Sequence, residues 1–250
     1  MSSFRPKLWT VAGGALVIAA GGLAACSDQA AETEPAVAST PAAASGEGEG
    51  EGGEAGAASA YDAVDEASRV ALRLAHLKGF FLVARAAAPV EGEDAAAALA
   101  GQGMLEVYDP AKADYDSAGV NEALLREAAQ TGSPSALEAA IGELDRAARG
   151  AGGDPAQVVK GMVTISAGLY ALVVTDGFVD PIEYQHALGA AMAAKSVADH
   201  EASLIPVRDE LADFVELWPQ VTAPEAVAEA PAPGLVQAQA SRVELALSGL

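Results

Sequence analysis

Apolar residues recur every three or four positions through most of the chain from residue 61 onward. This spacing is typical of amphipathic α-helices, because residues three or four positions apart lie on the same helix face. The first helix is predicted to run from about residue 61 to a stop at Pro89. Two more helices are predicted over residues 91–108 and 118–130. The apolar face of the first helix comprises Val70, Leu74, Leu77, Phe81 and Ala84.

Three Ser-Pro or Asp-Pro pairs indicate where the next helices begin. Ser and Asp are favoured N-cap residues, and proline is favoured at the first helical position because its fixed φ suits a helix. Ser133-Pro134, Asp154-Pro155 and Asp180-Pro181 therefore predict the fourth, fifth and sixth helices. The sixth is expected to continue toward Leu204, just before Pro206, which would break or kink it.

The fifth helix contains an uncharged stretch over residues 161–174. A membrane-spanning helix needs about 20 such residues, and Lys160 and Asp176 bracket this stretch more closely. The sequence therefore predicts the central, buried helix of a bundle, surrounded by the other helices.

Together these patterns predict an all-α fold, a mostly antiparallel bundle of six to seven helices over residues 59–219. No run of β-branched residues alternates with polar ones, as a strand would require. Aromatic residues make up only 5% of the chain, so the core should be built from small side chains. Residues 220–250 are predicted to form a Pro/Ala linker and a terminal amphipathic helix from Leu235 onward.

The first 25 residues have the three-part layout of an export signal. Arg5 and Lys7 supply a positive start, residues 8–20 form an apolar run, and small residues precede Cys26. The apolar run is too short and too rich in glycine to predict a membrane span. The alternative interpretation is an uncleaved anchor that ends in an ordinary thiol.

The four residues Leu23-Ala24-Ala25-Cys26 resemble the lipobox of bacterial lipoproteins. The resemblance implies removal of residues 1–25 as a signal peptide, a diacylglycerol on the Cys26 sulfur and an acyl chain such as palmitate on its new amine. A diacylglycerol and a further acyl chain would together hold the protein stably in a membrane, because one chain alone gives only marginal binding. In Gram-negative lipoproteins an Asp directly after the cysteine resembles an inner-membrane retention signal. Ser27 therefore implies the outer membrane, with the protein facing the periplasm.

Residues 26–58 are predicted to be a lipidated, disordered tether. Small and polar residues dominate, and residues 46–54 consist only of glycine and glutamate. Such a segment cannot bury enough apolar surface to offset the entropy that ordering would cost. As a flexible coil it would hold the helical domain about 30 Å from the membrane.

Acidic residues greatly outnumber basic ones, and the formal net charge is −21 at pH 7. Removal of residues 1–25 would take away Arg5 and Lys7 and leave 12 basic against 35 acidic residues, a net charge of −23. Phosphate backbones and anionic lipid surfaces would repel such a chain. The charge therefore argues against nucleic acid as a partner and leaves membrane attachment to the lipid.

Two histidines and one glutamate form a candidate metal site. Glu183 and His186 belong to a Glu-x-x-His element, which ferritin-like di-iron bundles use twice. His76 lies on a largely apolar face of the first helix. His76, Glu183 and His186 could therefore gather around iron or zinc.

The competing interpretation is that these histidines are core residues with a hydrogen-bond partner. The sequence holds no second Glu-x-x-His at its other histidines, and His200 lies about 21 Å from His186 along a helix axis. His186 and His200 share one helix stripe, so both are predicted to face the bundle interior. Iron-related lipoproteins of the imelysin kind carry Gly-x-His-x-x-Glu, but here Gly79 and Gly189 stand three residues after His76 and His186.

Catalytic motifs have less support. Cys26 would be consumed by the anchor, and neither a Gly-x-Ser-x-Gly elbow nor a phosphate-binding loop occurs. The carboxylates of Asp109, Asp114 and Asp116 are predicted to lie in a solvated loop. No catalytic residue is assigned.

The run of small residues over 189–194 predicts a very close contact between helices. Internal packing is the favoured interpretation, and a groove for a partner helix or an apolar ligand is the alternative.

The function predicted for the whole chain is a lipid-anchored cell-envelope protein, a non-catalytic binding or accessory subunit for another envelope protein. Metal handling is the first alternative and an envelope enzyme the second. No cofactor is predicted apart from the divalent metal of the first alternative.

Overall fold

The computed structural model describes residues 52–250, with side chains from residue 57 onward. The predicted signal peptide, the lipobox with Cys26, Ser27 and the tether up to residue 51 lie outside the described residues. The described part is an all-α bundle, so the predicted fold class is confirmed. Its α-helices are α1 (Gly52–Ala63), α2 (Glu66–Glu91), α3 (Glu93–Gly103), α4 (Lys112–Ser117), α5 (Glu122–Thr131), α6 (Pro134–Ala151), α7 (Pro155–Val173), α8 (Pro181–His200), α9 (Arg208–Glu216) and α10 (Pro233–Leu247).

Short segments join several of these helices. A π-helical turn (Met104–Tyr108) extends α3, and 3₁₀ turns cover Asp109–Ala111, Ala202–Val207 and Val227–Glu229. Strands β1 (Val174–Thr175) and β2 (Phe178–Val179) pair antiparallel and form a tight hairpin between α7 and α8. The hairpin reverses the chain, and α8 therefore returns along α7.

The three predicted cap-and-proline starts are present at α6, α7 and α8. The hydroxyl of Ser133 and the carboxylates of Asp154 and Asp180 each accept a backbone N–H of the first helical turn, at 3.4, 2.9 and 2.8 Å. Each bond satisfies one of the N–H groups that a helix start leaves without an internal partner. These local bonds explain why the starts are readable from sequence.

The predicted first helix is in fact two helices. The carboxylate of Asp65 accepts the backbone N–H of Ser68 at 2.7 Å and caps α2, which separates it from α1. α1 begins at Gly52, seven residues before the boundary predicted for the helical domain. Pro89 lies within the last turn of α2 rather than ending it. Pro89 and the two residues after it are exposed.

Helix α7 is long and apolar enough to cross a membrane by length and composition alone, with a mean hydropathy of 1.4. In the described part of the chain it packs against α1, α2, α8 and α10. Of its most apolar 18 residues, 56% are buried. These contacts are those of a core helix. α2 is a second central helix, because it packs against α3, α6, α7 and α8.

The backbones of α2 and α8 touch at two glycines. A Cβ atom added to Gly79 would lie 2.7 Å from the carbonyl oxygen of Gly189, and one added to Gly189 would lie 2.7 Å from that of Gly79. Real Cβ atoms do not approach a carbonyl oxygen so closely, and any side chain at either position would force the helices apart. The small residues that follow Gly189 are buried as well, so internal packing is the correct interpretation of this run.

The C-terminal segment belongs to the same compact domain. α10 packs against α7 and α9 and buries Val236, Ala240 and Val243. The linker before it is fixed by two buried tyrosines: the hydroxyl of Tyr170 donates to the carbonyl of Pro231 and that of Tyr184 to the carbonyl of Gln220, each at 2.9 Å.

We expect Gly189→Ala to lower the free energy of unfolding by about 1–3 kcal/mol, because the new methyl group must push two helix backbones apart. Gly142→Ala is the matched control, since Gly142 is an exposed glycine within α6 and an added Cβ would meet nothing within 4 Å. It should stabilise the protein by about 0.5–1 kcal/mol through helix propensity. Urea unfolding followed by circular dichroism measures both, and equal stabilisation by the two changes would contradict the backbone contact.

Candidate functional site

A cavity of about 700 Å³ lies where α1, α2 and α8 meet the π-helical turn after α3. Cavities of this size accommodate small organic ligands. Its lining combines apolar groups with titratable ones. The residues that line it are Ala57, Ala58, Tyr61, Arg73, His76, Phe80, Gln102, Leu105, Glu106, Val107, Pro110, Leu169, Asp180, Ile182, Glu183 and His186.

The three predicted metal ligands, His76, Glu183 and His186, all line this cavity. Both histidines are only 7% exposed. His76 lies three residues, or about one helical turn, before Gly79, and His186 lies three residues before Gly189. These are the glycines at which α2 and α8 touch. The glycine contact therefore brings both imidazoles toward the same cavity.

The aromatic ring of Phe80 contacts both imidazoles. Its centroid lies 5.7 Å from that of His76 and 4.6 Å from that of His186. Among the described residues, no three His, Cys, Asp or Glu side chains are placed so that they could hold one metal ion. The structure thus collects the predicted residues around one cavity without assembling them into a metal coordination sphere.

Each buried histidine has one hydrogen-bond partner. Nδ1 of His76 lies 2.6 Å from the hydroxyl of Tyr61, and Nε2 of His186 lies 3.3 Å from Oε1 of Gln102. Because the amide oxygen of Gln102 accepts, we assign the proton of His186 to Nε2. Nδ1 of His186 is then an acceptor, and it lies 3.9 Å from Oε2 of Glu106.

Burial keeps both imidazoles neutral. It lowers the pKa of His76 to about 3, helped by the nearby His186 and the positive charge of Arg73. Burial likewise lowers the pKa of His186 to about 4, although the carboxylate of Asp180 opposes the shift. A charged imidazolium would lose its hydration in this site, and the neutral form therefore prevails at pH 7.

Glu183 carries a carboxylate oxygen of the cavity that lacks a hydrogen-bond donor among the described residues. This atom, Oε2, is buried. Burial raises the pKa of Glu183, and the neighbouring carboxylates of Asp180 and Glu106 raise it further. A proton or a positively charged group would satisfy this carboxyl group.

The predictions for His200 and for the three loop acids are not confirmed. His200 is exposed, and its Nδ1 lies 2.7 Å from the carbonyl oxygen of Ser196, so the prediction that it faces the interior is wrong. α8 ends at His200, where the bundle no longer covers it. The predicted loop acids instead lie on short helical segments and are ion-paired: Asp109 with Arg126 at 3.1 Å, Asp114 with Arg73 at 2.8 Å, and Asp116 with Lys112 at 2.6 Å.

Sequence reasoning missed most of the cavity wall. Tyr61 comes from α1, whereas Gln102 and Glu106 come from α3 and the π-helical turn that extends it, and no spacing along the chain connects these two segments with each other or with the histidines. One signal was available. His-x-x-Gly occurs on both α2 and α8, and a glycine within a helix allows another backbone to approach closely.

A second cavity, of about 440 Å³, contains a buried lysine. Lys78 is 5% exposed, forms an ion pair with Asp145, and donates a hydrogen bond to the hydroxyl of Ser196 at 2.7 Å. These contacts join α2 to α6 and α8. The charge of Lys78 is already balanced by partners of the fold, in contrast to Glu183.

We expect the stability of the protein to fall as the pH is lowered below about 6.5, the pKa of an unperturbed histidine. In this range the unfolded chain binds protons at both His76 and His186. The folded chain does so only when the pH approaches about 4 at His186 and about 3 at His76. His186→Gln removes one of the two groups. Between pH 7 and pH 5 it should reduce the loss of unfolding free energy by about 1–2 kcal/mol.

Urea titrations at both pH values test this prediction. The exposed His200 provides the control, because His200→Gln should leave the wild-type difference between pH 7 and pH 5 in place. The burial argument fails if His186→Gln and the wild type lose the same stability on acidification.

Comparison of this chain with known protein families, with curated proteins and with solved structures gives no match. Functional conclusions therefore rest on the residues of the chain itself: the sequence that ends in Cys26 and the cavity between α2 and α8.

Proposed function

We propose that this protein is lipid-anchored in the cell envelope and that its helical domain serves as a non-catalytic binding or accessory subunit for another envelope protein. The observation that carries the proposal is the order of features that ends in Leu23-Ala24-Ala25-Cys26. A positive start, an apolar run, small residues and a cysteine follow one another as in bacterial lipoproteins. Ser27 favours the outer membrane, facing the periplasm.

The segment between the proposed anchor and the first helix supports a tethered role. Residues 27–51 separate Cys26 from α1, and they are rich in alanine, glycine and glutamate. This composition is that of a spacer between the proposed anchor and the helical domain. Tethering raises the local concentration of the helical domain for a partner at the same membrane, so modest affinity suffices for association.

The cavity supports a binding role for the helical domain. Native cores leave few buried polar atoms without a partner, because each costs free energy. Here Glu183 Oε2 has no partner among the described residues and lies at a cavity large enough for a ligand. A group supplied from outside the domain would recover that free energy.

Cys26→Ser should abolish lipid attachment, because the serine hydroxyl cannot replace the thiol that carries the diacylglycerol. In cells fed an alkyne-labelled palmitate we expect the wild-type chain, but not Cys26→Ser, to become labelled and to sediment with membranes. Ser27→Ala is the control and should behave like the wild type. Labelling of Cys26→Ser at the wild-type level would refute the anchor.

The accessory role makes a separate prediction. Chemical crosslinking in intact cells should join the lipidated chain to one defined envelope protein, and the yield should fall at least tenfold in Cys26→Ser at equal expression, since the tether no longer concentrates the domain. Reciprocal purification through the crosslinked protein checks the pair. A lipidated chain that remains monomeric in solubilised envelopes and gives no crosslinked product would contradict the role.

A further inference from the structure

We propose that the cavity lined by His76, Glu183 and His186 is a binding site for a small organic cation, an ammonium group carried on an apolar body. The proposed function names no such ligand, and this inference does not depend on the lipid anchor. It rests on which polar atoms of the cavity lack a partner and on the character of the remaining wall.

One part of the cavity is rich in negative charge. Asp180 is the N-cap of α8 and Glu183 stands in its first turn, and Glu106 of the π-helical turn is close enough to perturb the Glu183 carboxyl group electrostatically. Oε2 of Glu183 is buried without a hydrogen-bond donor among the described residues. An ammonium group would bring both the missing positive charge and up to three N–H donors.

His186 adds an acceptor to the same region. The residue is more than nine-tenths buried, and its Nε2 is committed to Gln102. Its Nδ1 has no partner within hydrogen-bond distance in the described part of the chain, since Glu106 Oε2 lies 3.9 Å away. An ammonium N–H of a ligand could donate to this Nδ1 atom.

The rest of the wall suits an apolar body. The rings of Tyr61 and Phe80 line the cavity with Val107 and Leu169. Aromatic faces attract cations in sites shielded from water, and the aliphatic side chains contribute apolar surface.

The mouth of the cavity is also apolar. Leu105 and Ile182 line it and are 69% and 47% exposed. A ligand with an apolar body would contact these two side chains as it enters.

The charges in the cavity disfavour an anion. Among the described residues that line the cavity, only Arg73 carries a guanidinium or ammonium group, and its Nε lies 2.8 Å from Oδ2 of Asp114. Its guanidinium also stacks over the Tyr61 ring, 4.5 Å from the centroid. The positive charge is thus already paired, whereas the carboxylate of Glu183 is not. A bare metal ion is disfavoured too, because no three ligating side chains of the described residues converge.

The test compares a charged probe with its neutral counterpart. The full-length chain, purified in a non-ionic detergent, is titrated at pH 7 with 4-phenylbutylamine and with 4-phenylbutan-1-ol by isothermal titration calorimetry. Detergent-only titrations correct for partition into micelles. We expect the amine to bind at least about tenfold more tightly than the alcohol, because only the amine forms a charge-assisted hydrogen bond with the carboxylate.

Glu183→Gln keeps the shape of the side chain and removes its charge. It should weaken binding of the amine about tenfold and leave the alcohol unaffected. Glu127→Gln is the matched control: Glu127 is exposed on α5 and does not line the cavity, so its replacement should change neither affinity.

Leu105→Arg is a second variant that does not threaten the core, because Leu105 is largely exposed. It places a positive charge at the mouth and should weaken the amine more than the alcohol, because both ligands lose the contact with Leu105 but only the amine is repelled. The proposal is overturned if amine and alcohol bind equally, if the amine does not bind, or if both variants retain the wild-type preference for the amine. None of these readouts requires Cys26 to be lipidated, so failure here is distinct from failure of the anchor.

Discussion

The contact between the backbones of Gly79 and Gly189 sets the geometry on which the rest of the domain depends. Two helices can approach so closely only where neither carries a Cβ atom, and the carbonyl oxygen of each glycine occupies the space that a methyl group would need. The contact fixes the position of α8 on α2, the central helix of the bundle. It also places His76 and His186, one turn before each glycine, at the same cavity.

The two cavities differ in whether their buried charged groups have partners within the fold. Lys78 is buried, but Asp145 and Ser196 satisfy its ammonium group, and the three residues tie three helices together. Glu183 lies among other carboxylates, and its buried oxygen is left without a donor in the described part of the chain. A fully paired buried ion belongs to the structure, whereas an incompletely paired one at a cavity marks a place where an external group gains free energy.

The overall charge of the chain agrees with this local chemistry. A net charge of −21 repels nucleic acid and anionic surfaces and attracts cations from a distance. Long-range attraction is diffuse and selects no ligand. Selection requires the arrangement at the cavity, where carboxylates, neutral imidazoles and aromatic rings lie within one small volume.

The sequence by itself determined the fold class and most helix starts, because these depend on contacts within one or two turns. Ser133, Asp154 and Asp180 each cap the helix that they begin, and a three- and four-residue apolar spacing is a local property. It also brought His76, Glu183 and His186 forward as one candidate site. Only the tertiary structure decided what these residues do together. The ring of Phe80 contacts both imidazoles, and Gln102 and Glu106 reach the cavity from another segment of the chain. Those positions follow from the packing of whole helices, and burial, which sets the protonation of the site, exists only once the helices have packed.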